Sequence, residues 1–157
     1  MKVIRVDTSA TIDRPVEDVA RYLADIERMT EWTDMTASRR LTEGPTTDGT
    51  KAYAEVTMGP VKLGWTYEIR DFHPHGGFAF TTITRNALGM DGSIRLTASG
   101  VNATKVDYHV EILTRGLLRV LEPLLRSEMS RNEAGELDRL KAQLETRPVG
   151  VPGPIRA

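Results

Sequence analysis

Residues 61–70, Val-Lys-Leu-Gly-Trp-Thr-Tyr-Glu-Ile-Arg, alternate apolar with polar side chains along most of their length. A period of two belongs to a strand with one dry face and one wet face. Val61, Leu63, Trp65, Tyr67 and Ile69 therefore share the inner side, and Lys62, Thr66, Glu68 and Arg70 the outer side. The same phase returns at Val106, Tyr108, Val110 and Ile112, set against Lys105, Asp107, His109 and Glu111. Each stretch predicts a strand with one face turned to a core.

Between residues 36 and 113 such runs are separated by turn clusters: Glu43-Gly44-Pro45, Thr47-Asp48-Gly49, Gly59-Pro60, Pro74-His75-Gly76-Gly77, Asp91-Gly92 and Gly100-Val101-Asn102. Strands joined by loops this short pair antiparallel, because a parallel crossover needs a dozen or more residues. The expectation is a meander of about five or six strands. The Val-, Ile- and Thr-rich residues 2–12 add a first strand that closes one side, which brings the sheet to about six to seven strands.

That first strand ends at Asp13-Arg14-Pro15, where Pro15 suits the first turn of a helix, and Val16, Val19, Ala20 and Leu23 then share a helical face. A second short helical turn is expected over Asp25 to Trp32, with Ile26, Met29 and Trp32 three residues apart. The last element runs from Gly116 to about Glu145 and carries the apolar stripe Leu117, Leu121, Leu124, Leu125, Met129, Leu137, Leu140 and Leu144. Pro123 predicts a kink there, or a short helix followed by a long one. Residues 1–145 thus read as one domain, and residues 146–157, with Pro148, Gly150, Pro152, Gly153 and Pro154, as a flexible tail.

The order of strands and helices makes the fold α+β, and the composition is that of an ordinary globular chain: 157 residues, 39% hydrophobic, 27% charged, net charge -1. With 21 basic and 22 acidic side chains, nothing draws it to nucleic acid or to an anionic membrane. The absence of cysteine removes disulfides, thiolate nucleophiles and thiolate metal sites. Charges at Arg5 and Asp7 interrupt any secretory apolar segment, and no window suits a membrane span. A cytoplasmic protein, monomer or homodimer, is expected.

Three stretches carry a family resemblance: Ile12-Asp13-Arg14-Pro15-Val16-Glu17-Asp18-Val19, then Leu23-Ala24-Asp25-Ile26-Glu27 with Glu31-Trp32, then Leu117-Leu118, Pro123-Leu124-Leu125 and Leu137-Asp138-Arg139-Leu140. In this order, around a meander, they resemble the START and Bet v 1-like (SRPBCC) superfamily, including its polyketide cyclase/dehydrase and lipid-transport family. The resemblance implies a helix-grip fold, in which a curved antiparallel sheet wraps a long C-terminal helix, with two short helices after the first strand. It also implies a ligand cavity between the sheet and that helix. Functions on the fold differ widely, so the site has to carry the functional argument.

Trp32, Trp65, Tyr67 and Tyr108 either line such a cavity or pack the core, since large amphipathic rings suit both. On the last helix, if Leu121, Leu125 and Met129 face the sheet, Glu128 and Asn132 fall within a turn of that face. There they serve a cavity; with a small rotation past Pro123 they reach solvent instead. His73 and His75 lack a third ligand and read as a surface turn, not a metal site. His109 has outward parity. Gly89-Met90-Asp91-Gly92 reads as a turn with too few glycines for a dinucleotide fingerprint, and no Gly-x-Ser-x-Gly elbow is present. No cofactor is called for.

Three functions follow. The first is binding or transport of a hydrophobic small molecule, lipid or polyketide-like, which needs only a dry cavity and a few polar anchors. The second is a polyketide aromatase/cyclase, in which the resemblance implies a serine and an arginine at successive inward positions after an inward tryptophan. Here Tyr67 and Ile69 take those positions and Arg70 points outward, so the cationic anchor is lacking unless a bulge reverses its parity. The third is a protein-interaction module resembling the ribosome-acting toxins, which would use the exterior.

Overall fold

The computed structural model describes residues 2–58, 60–84, 88–114, 116, 120 and 122–147, with the backbone course alone for residues 2, 3, 58, 88, 122 and 124–134. Strand β1 (Lys2–Ile12) leads through helix α1 (Val16–Leu23) and a 3-10 turn (Ile26–Arg28) to the short helix α2 (Met29–Trp32). Strands β2 (Met35–Arg40), β3 (Lys51–Met58), β4 (Val61–His73), β5 (Gly77–Thr82), β6 (Leu88–Ala98) and β7 (Thr104–Thr114) follow, and helix α3 (Glu122–Glu145) ends the order.

The seven strands form one antiparallel sheet in the order β1-β7-β6-β5-β4-β3-β2. β1 and β2 lie at opposite edges although they are close in sequence, so α1, the 3-10 turn and α2 carry the chain from one edge to the other. α3 packs chiefly against β1 and also touches α1 and α2. Sheet and helices together are the helix-grip arrangement.

Strand parity is as the alternation requires. Trp65, Tyr67 and Ile69 are buried on β4, and Val106, Val110 and Ile112 on β7. Val61, expected inside, is exposed at the first position of β4. On α1 the buried side chains are Val19, Tyr22 and Leu23, with Glu17 and Asp18 in the first turn and Arg21 in the last, where each charge opposes the helix dipole. Pro15 stands one residue ahead of this helix, and its carbonyl accepts from the Asp18 and Val19 amides.

One further expectation is corrected. Asp91-Gly92 and the wider Gly89-Met90-Asp91-Gly92 are not a turn but part of β6, which runs without a break in register against β7. A glycine is needed in mid-strand because a Cβ at Gly92 would lie 2.7 Å from Phe80 Cζ and 2.2 Å from the His109 carbonyl oxygen. Pro123 stands at the second position of α3, not in its interior. The helix begins one residue earlier, at Glu122, so the proline's missing amide falls in the first turn, where it has no intrahelical partner to lose.

Gly77 performs the turn function that the sequence suggested. Its φ is +88°, and a Cβ there would sit 1.9 Å from the Ile94 carbonyl oxygen. The turn delivers Phe78 and Phe80 to the inner face of β5, which completes the wall described next.

Candidate functional site

A small apolar hollow lies between α2 and the inner face of the sheet. Trp65 and Tyr67 of β4, Phe80 of β5, Ile94 of β6 and Tyr108 of β7 form one side, and Met29 and Trp32 of α2 with Met35 of β2 form the other. About 310 Å³ of space lies between these side chains, part of it open to solvent. The interior is narrow, with room for little more than a single water molecule. A larger guest enters only if side chains move, and the two methionines are the most adaptable of them.

The rings are arranged in two edge-to-face pairs. Trp32 meets Tyr108 at 5.8 Å between centroids and 66° between planes, and Tyr67 meets Phe80 at 6.1 Å and 65°. Such pairs add about 0.5–1.5 kcal/mol beyond the burial of their area. Trp32, Trp65 and Tyr67 are 1%, 1% and 3% exposed, so they serve as core and wall at once.

The wall is held from behind. Thr33 Oγ1 donates to the Met29 carbonyl and accepts from the Met35 amide at 3.2 Å, which closes α2 and starts β2. From α3, Arg139 Nε donates to the Trp32 carbonyl at 3.1 Å, and the Arg139 guanidinium pairs with Asp34 at 2.9 Å. Ser38 Oγ donates to the Ile26 carbonyl at 2.7 Å, and the Arg40 amide donates to Glu27 Oε1 at 3.3 Å. These bonds tie the short helices to β2 and fix Trp32 over the sheet.

Two polar atoms in the wall are left without partners. Trp32 Nε1 and the Tyr67 hydroxyl are both buried and neither makes a hydrogen bond. Ser38, whose hydrogen goes to the Ile26 carbonyl, stands beside the Tyr67 phenol with lone pairs able to accept from it. Burial pushes the Tyr67 phenol up to about 12; the Glu27 charge adds to this, while Ser38 and Arg40 act the other way. The group is a neutral donor at any ordinary pH. A buried polar atom without a partner costs about 1–3 kcal/mol, and most such atoms in folded proteins are paired.

Of the residues expected to bind ligand, Trp32, Trp65, Tyr67 and Tyr108 come together here. Leu121 lies outside the described residues, as do the side chains of Leu125, Glu128, Met129 and Asn132. Met29, Met35, Phe80 and Ile94 belong to the hollow but were not singled out from the sequence. The spacing of Phe78 and Phe80 just after Gly76-Gly77 carried a readable signal for β5. Nothing comparable marked Met35.

Arg70 is exposed and pairs with Glu68 at 3.4 Å. β4 does bulge, but the register shift lies between Arg70 and His73, with Asp71 at a φ of 49°, so it leaves the parity of Arg70 unchanged. His73 is also exposed, 3.0 Å from Asp71. Among the described residues no group of three His, Cys, Asp or Glu side chains could hold a metal ion, and no helix is long and apolar enough to cross a membrane.

Residues 3–145 match the family model described as polyketide cyclase / dehydrase and lipid transport. The chain belongs to this family. Among solved structures, it resembles the Zhui aromatase/cyclase of Streptomyces sp. R1128, with a TM-score of 0.76 at 18% identity over 95% of this chain and 99% of that one. TTHA0849 of Thermus thermophilus gives 0.75 at 16% identity over 91% and 98%. A START superfamily protein of Mycobacterium smegmatis gives 0.72 at 9% identity over 90% and 97%. At these identities the likeness is one of fold. Comparison with curated proteins found none that match.

Proposed function

We propose that this protein binds a hydrophobic small molecule, lipid or polyketide-like, between α2 and the inner face of the sheet. The observation that carries the reading is the hollow itself, a wall of eight apolar or aromatic side chains drawn from α2 and five strands and backed by hydrogen bonds that fix its far side. Apolar ligands bind in concave sites of this composition, oriented by a few polar groups. Membership of a family described in part as lipid transport supports the same reading, and a cytoplasmic location suits a chain without cysteine.

Titration with the neutral probe N-phenyl-1-naphthylamine tests it. A saturable rise in probe fluorescence at one site per chain is expected, and Met35→Trp, which fills the hollow from its half-buried rim, removes it. Native mass spectrometry of freshly purified protein should also show an apolar species that leaves on denaturation. Binding that is not saturable, or that survives Met35→Trp in a folded protein, defeats the proposal.

A cyclase reading draws support from the likeness to an aromatase/cyclase structure. With Arg70 turned outward, the Tyr67 hydroxyl and the Trp32 indole N–H are the donors of the wall left for a developing enolate, so turnover of a poly-β-keto substrate would fall in Tyr67→Phe.

A further inference from the structure

We propose that the outer edge of β1 is a pairing surface for a second copy of this chain, joining two seven-stranded sheets antiparallel about a twofold axis at Val6. This surface is separate from the hollow and does not depend on what the hollow binds.

The sheet ends in two edge strands that are protected unequally. β2 is six residues long, its register with β3 is interrupted, and the Arg40 amide on its outward side is taken by Glu27 Oε1. β1 is eleven residues long and pairs with β7 without a break in register. Which of its backbone groups point outward follows from parity. The Ser99 amide donates to the Ala103 carbonyl at the β6–β7 turn, so the odd-numbered residues of β7 bond to β6 and the even-numbered ones to β1. Their partners on β1 are even-numbered too. The N–H and C=O groups of Val3, Arg5, Asp7, Ser9 and Thr11 therefore face away from the sheet. At Thr11 the carbonyl is occupied, since it accepts from Lys141 Nζ. Among the described residues, the outward groups from Val3 to Ser9 have no partner. An open row of this kind is a template for another strand.

The side chains select the occupant and the register. Arg5 and Asp7 project from the outer face, 69% and 77% exposed, even though each already touches β7. In a twofold pairing centred on Val6, Arg5 of each copy stands opposite Asp7 of the other. Moving the centre by one residue, to Arg5 or to Asp7, sets like charges face to face, and centring on Thr8 leaves both charges opposite hydroxyls. Opposite charges across a strand pair stabilise it and like charges oppose it. The favoured register spans Val3 to Ser9, with about eight backbone hydrogen bonds, two for each facing pair. It stops short of Thr11, where Lys141 closes the edge. An unrelated strand would meet the backbone equally well but not the charges, so the edge fits its own copy best.

Sedimentation velocity over a rising concentration of the native chain tests this, and a shift from one chain to two is expected. Arg5→Asp and Asp7→Arg, each shown to be folded by circular dichroism, should weaken the dimer at least about tenfold when alone. An equimolar mixture of the two should restore it, because opposite charges then face each other again. Cross-linking reads the register, in a chain with no cysteine of its own. Val6→Cys places the thiol opposite its own copy in a non-hydrogen-bonded pair, whose spacing suits a disulfide, so mild oxidation should give a covalent dimer. Thr8→Cys places the two thiols about 13 Å apart along the strands and should not. A native chain that stays monomeric up to its solubility limit overturns the proposal, whatever strand then fills the edge. So does a dimer that Asp7→Arg leaves intact, or one that Thr8→Cys cross-links as readily as Val6→Cys.

Discussion

The two ends of the grip are built from the same materials and finished differently. Where the last turns of α3 meet β1, Leu137, Leu140 and Leu144 are buried in the same core cluster as Ile4, Ile12 and Val106, and many polar bonds surround them, although Arg147 Nη1 is buried without a partner. Arg14 reaches the end of α3, donating from Nη2 to the Glu145 carbonyl at 2.6 Å and to the Arg147 carbonyl at 2.7 Å, and from Nε to the latter at 3.0 Å. These are carbonyls that a helix end cannot satisfy by itself. Glu145 accepts from the Asp13 amide, and Lys141 donates to the Thr11 carbonyl, both at 2.9 Å. Alongside, the Tyr22 hydroxyl donates to Glu31 at 2.8 Å, and the Arg147 guanidinium lies 4.7 Å from the Tyr22 ring centre. At the hollow, Trp32 Nε1 and the Tyr67 hydroxyl have no hydrogen-bond partner, and the lining is otherwise apolar. One end is cross-linked by charged hydrogen bonds that stabilise the fold; the other is a wall of rings and methionines with few polar contacts.

This contrast predicts that damage to the first end appears as lost stability and damage to the second as lost binding. The largest effect is expected at Leu140, which is fully buried on α3. Leu140→Ala should cost about 2–5 kcal/mol in urea unfolding, and a cost below about 1 kcal/mol would mean that α3 is not the keystone of the packed end. Arg14→Ala comes next, at about 2 kcal/mol, because it strips the charged donor from two terminal carbonyls at once. Arg14→Lys should restore only part of this, since an ammonium cannot reproduce the guanidinium fork. Full recovery with lysine would show that charge alone was at work.

At the hollow the sign reverses. Tyr67→Phe removes a buried hydroxyl that has no partner, so unfolding free energy should stay level or rise by about 1 kcal/mol. A loss of stability above about 1 kcal/mol would reveal a hydrogen bond from Tyr67 within the folded chain and would erase the distinction between the two ends.

The frame of the molecule was open to reading because it rests on periodicity. Trp65, Tyr67 and Ile69 are buried, and Arg70 is exposed, from alternation alone. Turn chemistry was a less certain guide. Gly76-Gly77 does turn the chain, but Asp91-Gly92 shows the same local signal inside β6, where the demand for glycine comes from Phe80 and the His109 carbonyl, distant in sequence. The site was half visible. Trp65, Tyr67 and Tyr108 were marked by strand parity, whereas Phe80 and Ile94 were passed over and Met29 and Met35 enter only because α2 folds over the sheet. The missing partners of Trp32 and Tyr67 have no signature in sequence at all, since satisfaction of a donor depends on every group the tertiary fold brings near it. The Arg14 contact with α3 joins residues at opposite ends of the sequence and was hidden for the same reason.

The smallest predicted effect separates the two ends by pH. On the outer face of the sheet, behind the packed end, His109 of β7 lies 2.5 Å from Asp7 of β1 and 3.4 Å from Glu111 of its own strand, while Arg5 holds Glu111 at 3.0 Å and Ser93 of β6 stands opposite in register. The hydrogen bond to Asp7, with the Glu111 contact adding, raises the imidazole above its ordinary value of 6.5. A folded-state pKa raised in this way contributes stability that is fully present below about 6.5 and is lost as pH rises through the higher folded value. The His109 side chain is 37% exposed, so solvent screening limits the effect to about 0.2–1 kcal/mol. Between about pH 6 and pH 8, stability should therefore decline slightly in the native chain and not in His109→Gln. Binding of N-phenyl-1-naphthylamine at the hollow should stay constant over the same interval, because burial pushes the Tyr67 phenol up to about 12. A binding curve that followed the stability curve would couple the two ends through β7, which carries His109 on its outer face and Tyr108 in the wall of the hollow.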